Sequence, residues 1–377
     1  MKKIQMVDLK SQYDHIKTAV DTAIMSVIEK TEFINGPEVS AFQQELEKYL
    51  NVKHVIPCGN GTDSLQIALM AMGLKPGDEV ITPSYTYIAT TEVIALLGLT
   101  PIFVDVDPTI FCIDPTKIEA AITPKTKAIV PVHLYGQAAD MDAIMEIAKR
   151  HNLYVLEDNA QAIGCEYTHK DGRISKTGTI GDVGSTSFFP SKNLGCYGDG
   201  GALCTNNSEL AAVMKKIANH GQTVKYVHEV VGCNSRLDSI QAAVLRIKLP
   251  LLDSYCDARR KVADFYDNYF ASIEGITTPY RDPKSKHVFH QYTLQLEGID
   301  RDGLSAYLAE HGIPSMIYYP IPAHRQKMFE AFKCENQELP VTDWLTKRVL
   351  SLPIHTELDE EQLNHICAHV AAFVNKK

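Results

Sequence analysis

Runs of basic residues and long apolar segments are both missing from the 377-residue sequence, whose formal net charge is −9 at pH 7. Proteins that bind nucleic acids or anionic membrane surfaces usually carry a basic stripe, so neither partner is expected. The most apolar stretch, VIALLGLTPIFV, is interrupted by Thr100 and Pro101 and is too short to span a bilayer. No transmembrane helix is therefore predicted.

Leader and metal-site signals are missing as well. The N-terminal stretch MKKIQMVDLKSQYDHI has no apolar segment of the signal-peptide kind, so no leader is expected. The nine cysteines are scattered and odd in number, and no two of them form a CxxC pair. This distribution favours reduced thiols in a cytoplasmic protein over a disulfide framework or a zinc site, and no metal is predicted.

The patterns that are present indicate an α/β fold. Helical periodicity marks the first 50 residues, and short apolar runs then alternate with segments of helical pattern. This alternation predicts a mostly parallel central sheet flanked by helices, with ligands bound at the carboxyl ends of the strands. The apolar runs are HVIPC, EVITP, PIFVDV, KAIVPV and NLYVLED.

The pattern changes after Pro250, where a long charged helical stretch leads into HQYTLQLEG, a further helix and the proline-rich loop YYPIPAHRQ. We therefore predict two domains. Residues 1–250 are expected to form a large domain that includes the N-terminal helical segment. Residues 251–377 are expected to form a smaller α+β domain.

The predicted strand HVIPC runs through GNGTDS directly into a helix. Gly59 and Gly61 permit a tight turn, and Thr62 stands where free N–H groups begin the helix, an arrangement that suits a phosphate. A plain helix-capping turn is the alternative explanation. A dinucleotide site is less favoured, because Ser64 replaces the third glycine of GxGxxG.

Two further segments carry residues of types that take part in catalysis. NLYVLED ends on Glu157 and Asp158, and SFFPSKNLGCYGDGGA places Lys192 among aromatic, small and glycine residues. A carboxylate at a strand end can pair with a cationic ring nitrogen, although Asp158 would also cap a helix. A desolvated lysine is a nucleophile toward carbonyls, although a surface lysine is the ordinary explanation. Gln161 reaches the same neighbourhood as Asp158.

Together, the phosphate turn, the strand-end Asp158 and Lys192 match the three fixed contacts of pyridoxal 5′-phosphate (PLP). The phosphate would bind at the helix N-terminus, Asp158 would pair with the pyridinium nitrogen, and Lys192 would form a Schiff base with the aldehyde. Tyr85 and Tyr87, from SYTYIATT, are candidates either to stack on the ring or to fill the core.

Eight ordered segments resemble the sugar-nucleotide aminotransferases, the PLP enzymes of the DegT/DnrJ/EryC/StrS type. The resemblance implies a PLP-dependent transferase of fold type I, like aspartate aminotransferase, that works as a homodimer with both subunits at each active site. The segments extend to about residue 326 and are FINGPEVSAFQQELEKYL, CGNGTDSLQIAL, GDEVITPSYTYIAT, PVHLYGQAADMDAI, EDNAQAIG, SFFPSKNLGCYGDGGAL, GCNSRLDSIQAA and YYPIP.

Position by position, the resemblance implies that Lys192 is the catalytic Schiff-base residue and that Asp158 pairs with the ring nitrogen. Gln161 would contact the ring or its oxygen, and Tyr87 would stack on the ring. His133, in HLYG, matches a position beside the site.

The same resemblance implies that Gly61, Thr62 and Ser187 hold the cofactor phosphate, together with Asn234 from the neighbouring subunit. Some relatives replace the lysine with histidine and become dehydratases, because a histidine does not form the Schiff base. The presence of Lys192 therefore favours transamination.

The expected reaction moves an amino group from L-glutamate to a keto group of a nucleotide-linked sugar in a ping-pong cycle. The motifs are most similar to the branch that aminates C-3 of UDP-linked 3-keto sugars, including 2-acetamido-3-keto uronic acids. Arg236 is the candidate contact for a sugar carboxylate, and His324 and Arg325 are candidates for the other end of the substrate. A C-4 keto sugar, a dTDP-linked substrate and a non-catalytic PLP-binding regulator remain as alternatives.

Overall fold

A computed structural model describes residues 2–375. The strands, numbered in chain order, are β1 (His54–Cys58), β2 (Glu79–Pro83), β3 (Thr100–Val104), β4 (Thr126–Ile129), β5 (Tyr154–Asp158), β6 (Glu166–Thr168), β7 (Ile174–Lys176), β8 (Val183–Ser187), β9 (Gly201–Thr205), β10 (Gln222–Val224), β11 (Val227–His228), β12 (Ile276–Thr277), β13 (Tyr292–Leu296) and β14 (Val349–Leu352).

The α-helices of the described range are α1 (Leu9–Lys30), α2 (Pro37–Leu50), α3 (Gly61–Ala71), α4 (Ala89–Leu96), α5 (Met141–His151), α6 (Ser208–Ile217), α7 (Ser239–Lys248), α8 (Leu252–Phe270), α9 (Arg301–Glu310), α10 (Pro340–Thr346) and α11 (Glu360–Val374). Within residues 2–375, none of these helices combines the length and the apolar content that crossing a membrane requires.

The central sheet has seven strands in the order β1-β9-β8-β5-β4-β2-β3. Only β9 runs antiparallel to its neighbours, so the predicted mostly parallel sheet is confirmed. The five predicted apolar runs correspond to β1–β5. The carboxyl ends of β1, β2, β5 and β8 lie at one edge of the sheet, and the loops that follow them carry most of the candidate site residues.

Both faces of the central sheet are covered by helices. Successive strand residues point to opposite faces, so Val55 and Ile56 of β1 belong to different hydrophobic cores. The core that contains Val55 also contains residues of α2, α5 and α7. The core that contains Ile56 contains residues of α3, α4 and α6. This arrangement explains why the strands read as continuous apolar runs.

A second unit contains the antiparallel sheet β12-β13-β14 with α8, α9 and α11 packed against it. Its core also includes Ile4, and the side chain of Gln362 donates to the backbone carbonyls of Lys2 and Lys3. The N-terminal residues therefore pack against this second unit. The boundary between residues 250 and 251 stays a prediction.

Candidate active site

The turn between β1 and α3 presents unpaired backbone donors. Asn60 caps α3, since its side chain accepts a hydrogen bond from the Asp63 N–H at 2.8 Å. The N–H groups of Gly61 and Thr62 have no acceptor among residues 2–375. Gly61 packs closely against Ser187, because a Cβ at position 61 would lie 2.6 Å from Cβ of Ser187. The open donors, the helix N-terminus and the Ser187 hydroxyl suit a phosphate group.

Asp158 is the last residue of β5 and is 5% exposed. One carboxylate oxygen accepts a hydrogen bond from Thr90 Oγ1 at 2.7 Å, and the other accepts from the Ala160 N–H at 3.1 Å. These two donors hold the carboxylate in a defined orientation. Thr90 lies in the first turn of α4, the helix that follows β2, so the segments after two strand ends meet at Asp158.

Lys192 lies in the connection between β8 and β9, where its backbone N–H donates to the Phe189 carbonyl at 2.9 Å. Its side chain makes no hydrogen bond or ion pair with the residues that the structure describes. Burial lowers the pKa of the Lys192 amine to about 8, and the negative charge of Asp158 opposes this effect. A substantial fraction of the amine is therefore neutral, and nucleophilic, near physiological pH.

Helix α7 holds the Lys192 loop from outside. The buried Lys248 donates from Nζ to the Gly195 carbonyl at 2.6 Å. Gln241 accepts from the Tyr197 N–H at 2.8 Å. Sequence reasoning assigned neither residue to the site, and their positions in α7 carry no local motif that distinguishes them from ordinary helix residues.

Aromatic side chains surround Gln161 rather than leaving it open. Its Oε1 accepts from the Tyr135 N–H at 2.8 Å, and its Nε2 donates to the Tyr319 hydroxyl at 2.9 Å. Tyr85 is fully buried and belongs to the core. Tyr87 is 57% exposed, and its ring lies 6.2 Å from that of Tyr319. Of the two tyrosines, only Tyr87 is available to contact a bound ring.

His133 supports the strand end that carries Asp158. Both His133 and Glu157 are fully buried, and His133 Nε2 donates to Glu157 at 2.9 Å while Nδ1 accepts from the Ala139 N–H at 3.1 Å. Glu157 also accepts three backbone N–H groups of the loop at 178–181. The pair therefore ties that loop to β5.

Asn234 and Arg236 lie beside the phosphate turn, because the hydroxyl of the intervening Ser235 accepts from the Gly59 N–H at 2.9 Å. Asn234 is exposed. Arg236 makes no ion pair with the described residues and lines a cavity of about 730 Å³ between α2, α6 and β1. Lys192 is not among the residues that line this cavity.

His324 is buried in the loop that follows residue 319. Its side chain is fully buried, with Nδ1 at 2.7 Å from Ser84 Oγ and with Nε2 accepting from Arg325 Nε at 3.2 Å. Arg325 also forms an ion pair with Asp343. Both ring nitrogens of His324 are thus occupied, and the residue anchors the loop to the end of β2. A substrate contact of His324 and Arg325 stays a prediction.

Comparison with known proteins identifies the family. Residues 14–371 match the DegT/DnrJ/EryC1/StrS aminotransferase family. The chain belongs to this family. The resemblance predicted from the motifs is thereby confirmed, and with it the class of sugar-nucleotide aminotransferases.

Two relatives and one solved structure of the DegT/DnrJ/EryC1/StrS family illustrate the match. The chain is 46% identical, over 97% of its length and 99% of the relative, to the UDP-2-acetamido-2-deoxy-3-oxo-D-glucuronate aminotransferase of Pseudomonas aeruginosa. It is also 46% identical to a pleiotropic regulatory protein of Geobacillus stearothermophilus, over 98% of both chains. The structure of NtdA from Bacillus subtilis, with bound cofactor PMP, superposes with a TM-score of 0.91 at 33% identity and covers 100% of this chain and 86% of NtdA.

Sequence reasoning missed Thr90, although it lies in the quoted segment SYTYIATT. The sequence signal that could have identified Thr90 is its position after a predicted strand, because side chains at such positions meet at the ligand-binding edge of an α/β sheet. It remained undetected because nothing in the local sequence pairs Thr90 with Asp158, which is 68 positions away.

Proposed function

We propose that this chain is a PLP-dependent aminotransferase that transfers an amino group from L-glutamate to the C-3 keto group of a UDP-linked sugar. The observation that carries the proposal is Lys192, whose unpartnered amine has its pKa lowered to about 8 by burial and lies near Asp158. Family membership supports the reaction class. The P. aeruginosa relative, named for a UDP-linked 3-oxo sugar, supports amination at C-3.

The described residues fit PLP. Lys192 would hold the cofactor covalently through Nζ, and Asp158 would pair with its ring nitrogen. The N–H groups of Gly61 and Thr62, with the hydroxyl of the closely packed Ser187, would bind the phosphate. When bound, PLP supplies an electron sink for bonds broken at the amine-bearing carbon of the substrate. The PMP-bound neighbour supports the same cofactor assignment.

Lys192 would also serve as the base that moves a proton. Its neutral amine takes a proton from the substrate carbon and returns a proton in the later step. The Asp158 carboxylate, oriented by Thr90 and Ala160, keeps a proton on the ring nitrogen. Glutamate would leave as 2-oxoglutarate with its amino group retained on the cofactor, and the keto sugar would then bind at the same site and receive that group, which makes the cycle ping-pong.

Arg236 is our proposed contact for a carboxylate on the sugar, since its guanidinium has no ion-pair partner among residues 2–375 and matches a carboxylate bidentately. With the UDP-linked 2-acetamido-3-oxo uronic acid, Arg236→Gln should raise KM about 10- to 100-fold and change kcat little. With the corresponding 3-oxo hexose, which has no carboxylate, wild type and variant should have similar KM values. Initial rates of 2-oxoglutarate release, with mass spectrometry of the amino sugar, measure both.

The control for this experiment is Arg173→Gln, because Arg173 is exposed and pairs only with groups of its own hairpin. An equal rise in KM for both sugars would show that Arg236 does not act by contacting the sugar carboxylate. Transfer to a 4-keto sugar but to neither 3-oxo sugar would favour the C-4 alternative. No amino transfer to any keto sugar would favour a regulator, the function for which the G. stearothermophilus relative is named.

The hairpin of β10 and β11 supports a homodimer. Five apolar side chains of this segment are exposed, with Tyr226 at 80% and Val231 at 83%. Exposed apolar patches of this kind usually mark contact surfaces. The exposed residues are Val224, Tyr226, Val227, Val230 and Val231. Because Asn234 and Arg236 follow the hairpin directly, we propose that they complete the active site of the partner subunit.

Mixing two variants that are both defective at a uronic acid concentration well below the wild-type KM tests whether the active site is shared. Lys192→Ala damages the site that contains the lysine, and Arg236→Ala would damage the site of the partner. A dimer with one subunit of each kind then has one site with both defects and one intact site. Mixed after dissociation, the two variants should recover about a quarter of wild-type activity toward the uronic acid substrate. Activity that stays at the level of the separate variants would place Arg236 in the same site as its own Lys192.

We also place the reaction in the cytoplasm. All nine cysteines are free thiols, and most of them are buried. Unpaired thiols are typical of proteins from reducing compartments.

A further inference from the structure

Lys248 is a buried lysine of α7 that has no role in the proposed function. The residue is 1% exposed, and its amine forms no ion pair with the residues that the structure describes. Removing an ammonium group from water costs free energy unless polar groups compensate its charge. The contacts of the Lys248 amine should therefore show why an amine, and not an apolar side chain, occupies this position.

The hydrogen bond and the ring contact of the Lys248 amine are both made with the segment that follows Lys192. Nζ donates to the Gly195 carbonyl at 2.6 Å and lies 5.3 Å from the centre of the Tyr197 ring. A carbonyl oxygen and the face of an aromatic ring are both favourable partners for a cation. Burial lowers the pKa of the Lys248 amine to about 8, so most of the amine is charged at pH 7.

Gly195 connects this contact to the turn that carries Lys192. A Cβ at position 195 would lie 2.3 Å from the Pro190 carbonyl oxygen and 2.9 Å from that of Phe189, so the two stretches of backbone touch. The Phe189 carbonyl also accepts a hydrogen bond from the Lys192 N–H at 2.9 Å. Because closely packed groups transmit displacements, a shift of Gly195 would also move the backbone of Lys192.

The position of the Lys192 amine depends on this backbone, since the side chain has no hydrogen-bond or ion-pair partner among the described residues. We propose that Lys248 is a positioning residue, whose ammonium group fixes the Lys192 turn through the Gly195 carbonyl and so sets where the Lys192 amine meets the substrate. The inference rests on the proposed function of Lys192. Gln241, two turns earlier in α7, supports the same segment by hydrogen bonds to the Tyr197 backbone.

Lys248→Met tests this role, because methionine fills similar space but removes the donor and the charge. In the apoprotein, hydrogen exchange in residues 188–198, measured by mass spectrometry, should become about tenfold faster because the turn loses its outer support. In the protein loaded with PLP, the maximal rate at which glutamate bleaches the absorption band should fall about tenfold. The glutamate concentration that gives half of this rate should stay within about twofold of the wild-type value, because Lys248 does not contact the substrate.

Tyr266→Phe is the matched control for Lys248→Met. The buried Tyr266 hydroxyl donates to the Pro353 carbonyl at 2.9 Å, so this variant also deletes a buried donor to a backbone carbonyl, but within the second unit. Whatever its effect on thermal stability, its bleaching rate and its hydrogen exchange in residues 188–198 should equal those of the wild type.

The inference would be overturned if either change were missing in Lys248→Met, or if Tyr266→Phe reproduced both changes. If Lys248→Met does not fold, Lys248→Gln replaces it with the same expectations, since the glutamine side chain is uncharged and one atom shorter. Failure of the proposed function is seen separately, because it would appear as a wild-type protein that does not bind PLP or does not respond to glutamate. The exchange measurement on the apoprotein would then still test whether Lys248 holds the turn.

Discussion

Lys192→Ala should abolish amino transfer from glutamate, with a fall in turnover of at least about ten-thousandfold. The variant loses both the group that would hold the cofactor and the base that moves the proton. Lys192→Arg should be equally inactive, because a guanidinium keeps the positive charge but provides no neutral amine. The measurement is the visible absorption spectrum with added PLP, before and after L-glutamate, together with kcat. Only the wild type should show a lysine-bound band that glutamate bleaches.

Lys170→Ala is the control for this prediction, since Lys170 is 63% exposed and lies 4.0 Å from Glu146. Its spectrum and kcat should equal those of the wild type. Activity retained in Lys192→Arg would mean that charge alone is required at this position. A glutamate-sensitive band in Lys192→Ala would show that another amine holds the cofactor.

The lowered pKa of the Lys192 amine predicts how the capture of PLP by the apoprotein depends on pH. Because the pKa of Lys192 is lowered to about 8, the neutral fraction of its amine grows as the pH rises. Above that pKa the amine is mostly neutral. The rate constant for PLP capture by the apoprotein should therefore rise about tenfold per pH unit below the pKa and then level off. A rate that keeps rising to the ordinary pKa of a lysine would contradict the effect of burial.

Asp158→Asn should lower turnover on the order of a thousandfold while PLP still binds. A neutral amide does not stabilise a proton on the cofactor ring nitrogen, so the ring loses its power as an electron sink. The phosphate turn and Lys192 remain intact, and the PLP content of the purified variant should therefore stay near that of the wild type. Comparing kcat with glutamate and PLP content in the same preparation measures both effects.

Thr90→Val provides a graded control for Asp158. It removes the 2.7 Å hydrogen bond to the carboxylate but leaves the charge and the Ala160 N–H in place. The expected loss is about tenfold, in keeping with one hydrogen bond to a charged group. Near-normal turnover in Asp158→Asn would show that Asp158 does not pair with the cofactor ring and would favour the helix-capping role that the sequence also allows.

Local patterns predicted β1–β5, because strands buried on both faces of a parallel sheet require apolar runs. The same reasoning missed β8 and β9 as strands, since VGSTS and GALCT consist largely of small and polar residues. The structure explains that composition. A Cβ on Gly184 would lie 2.0 Å from the Gly178 carbonyl oxygen, so a larger residue does not fit. Close backbone approach, and not a lack of strand structure, accounts for the weak pattern.

His324 and Arg325, the candidates for the other end of the substrate, illustrate a second limit of local sequence. His324 and Arg325 follow a proline-rich loop, and their charge predicted contact with substrate. The structure shows that His324 is buried against Ser84, 240 positions away, and that Arg325 pairs with Asp343, and contact with substrate stays a prediction. Local sequence does not reveal which cations a distant part of the chain neutralises or covers.

The sequence by itself determined the chemical groups of the site: the amine of Lys192, the strand-end carboxylate of Asp158 and the open start of helix α3. Each depends on a residue type and on its position relative to a neighbouring strand or helix, which local pattern records. Only the tertiary structure decided that burial lowers the pKa of the Lys192 amine and that Thr90 orients Asp158. Burial and hydrogen bonding join residues that are remote along the chain, so they are properties of the folded molecule alone.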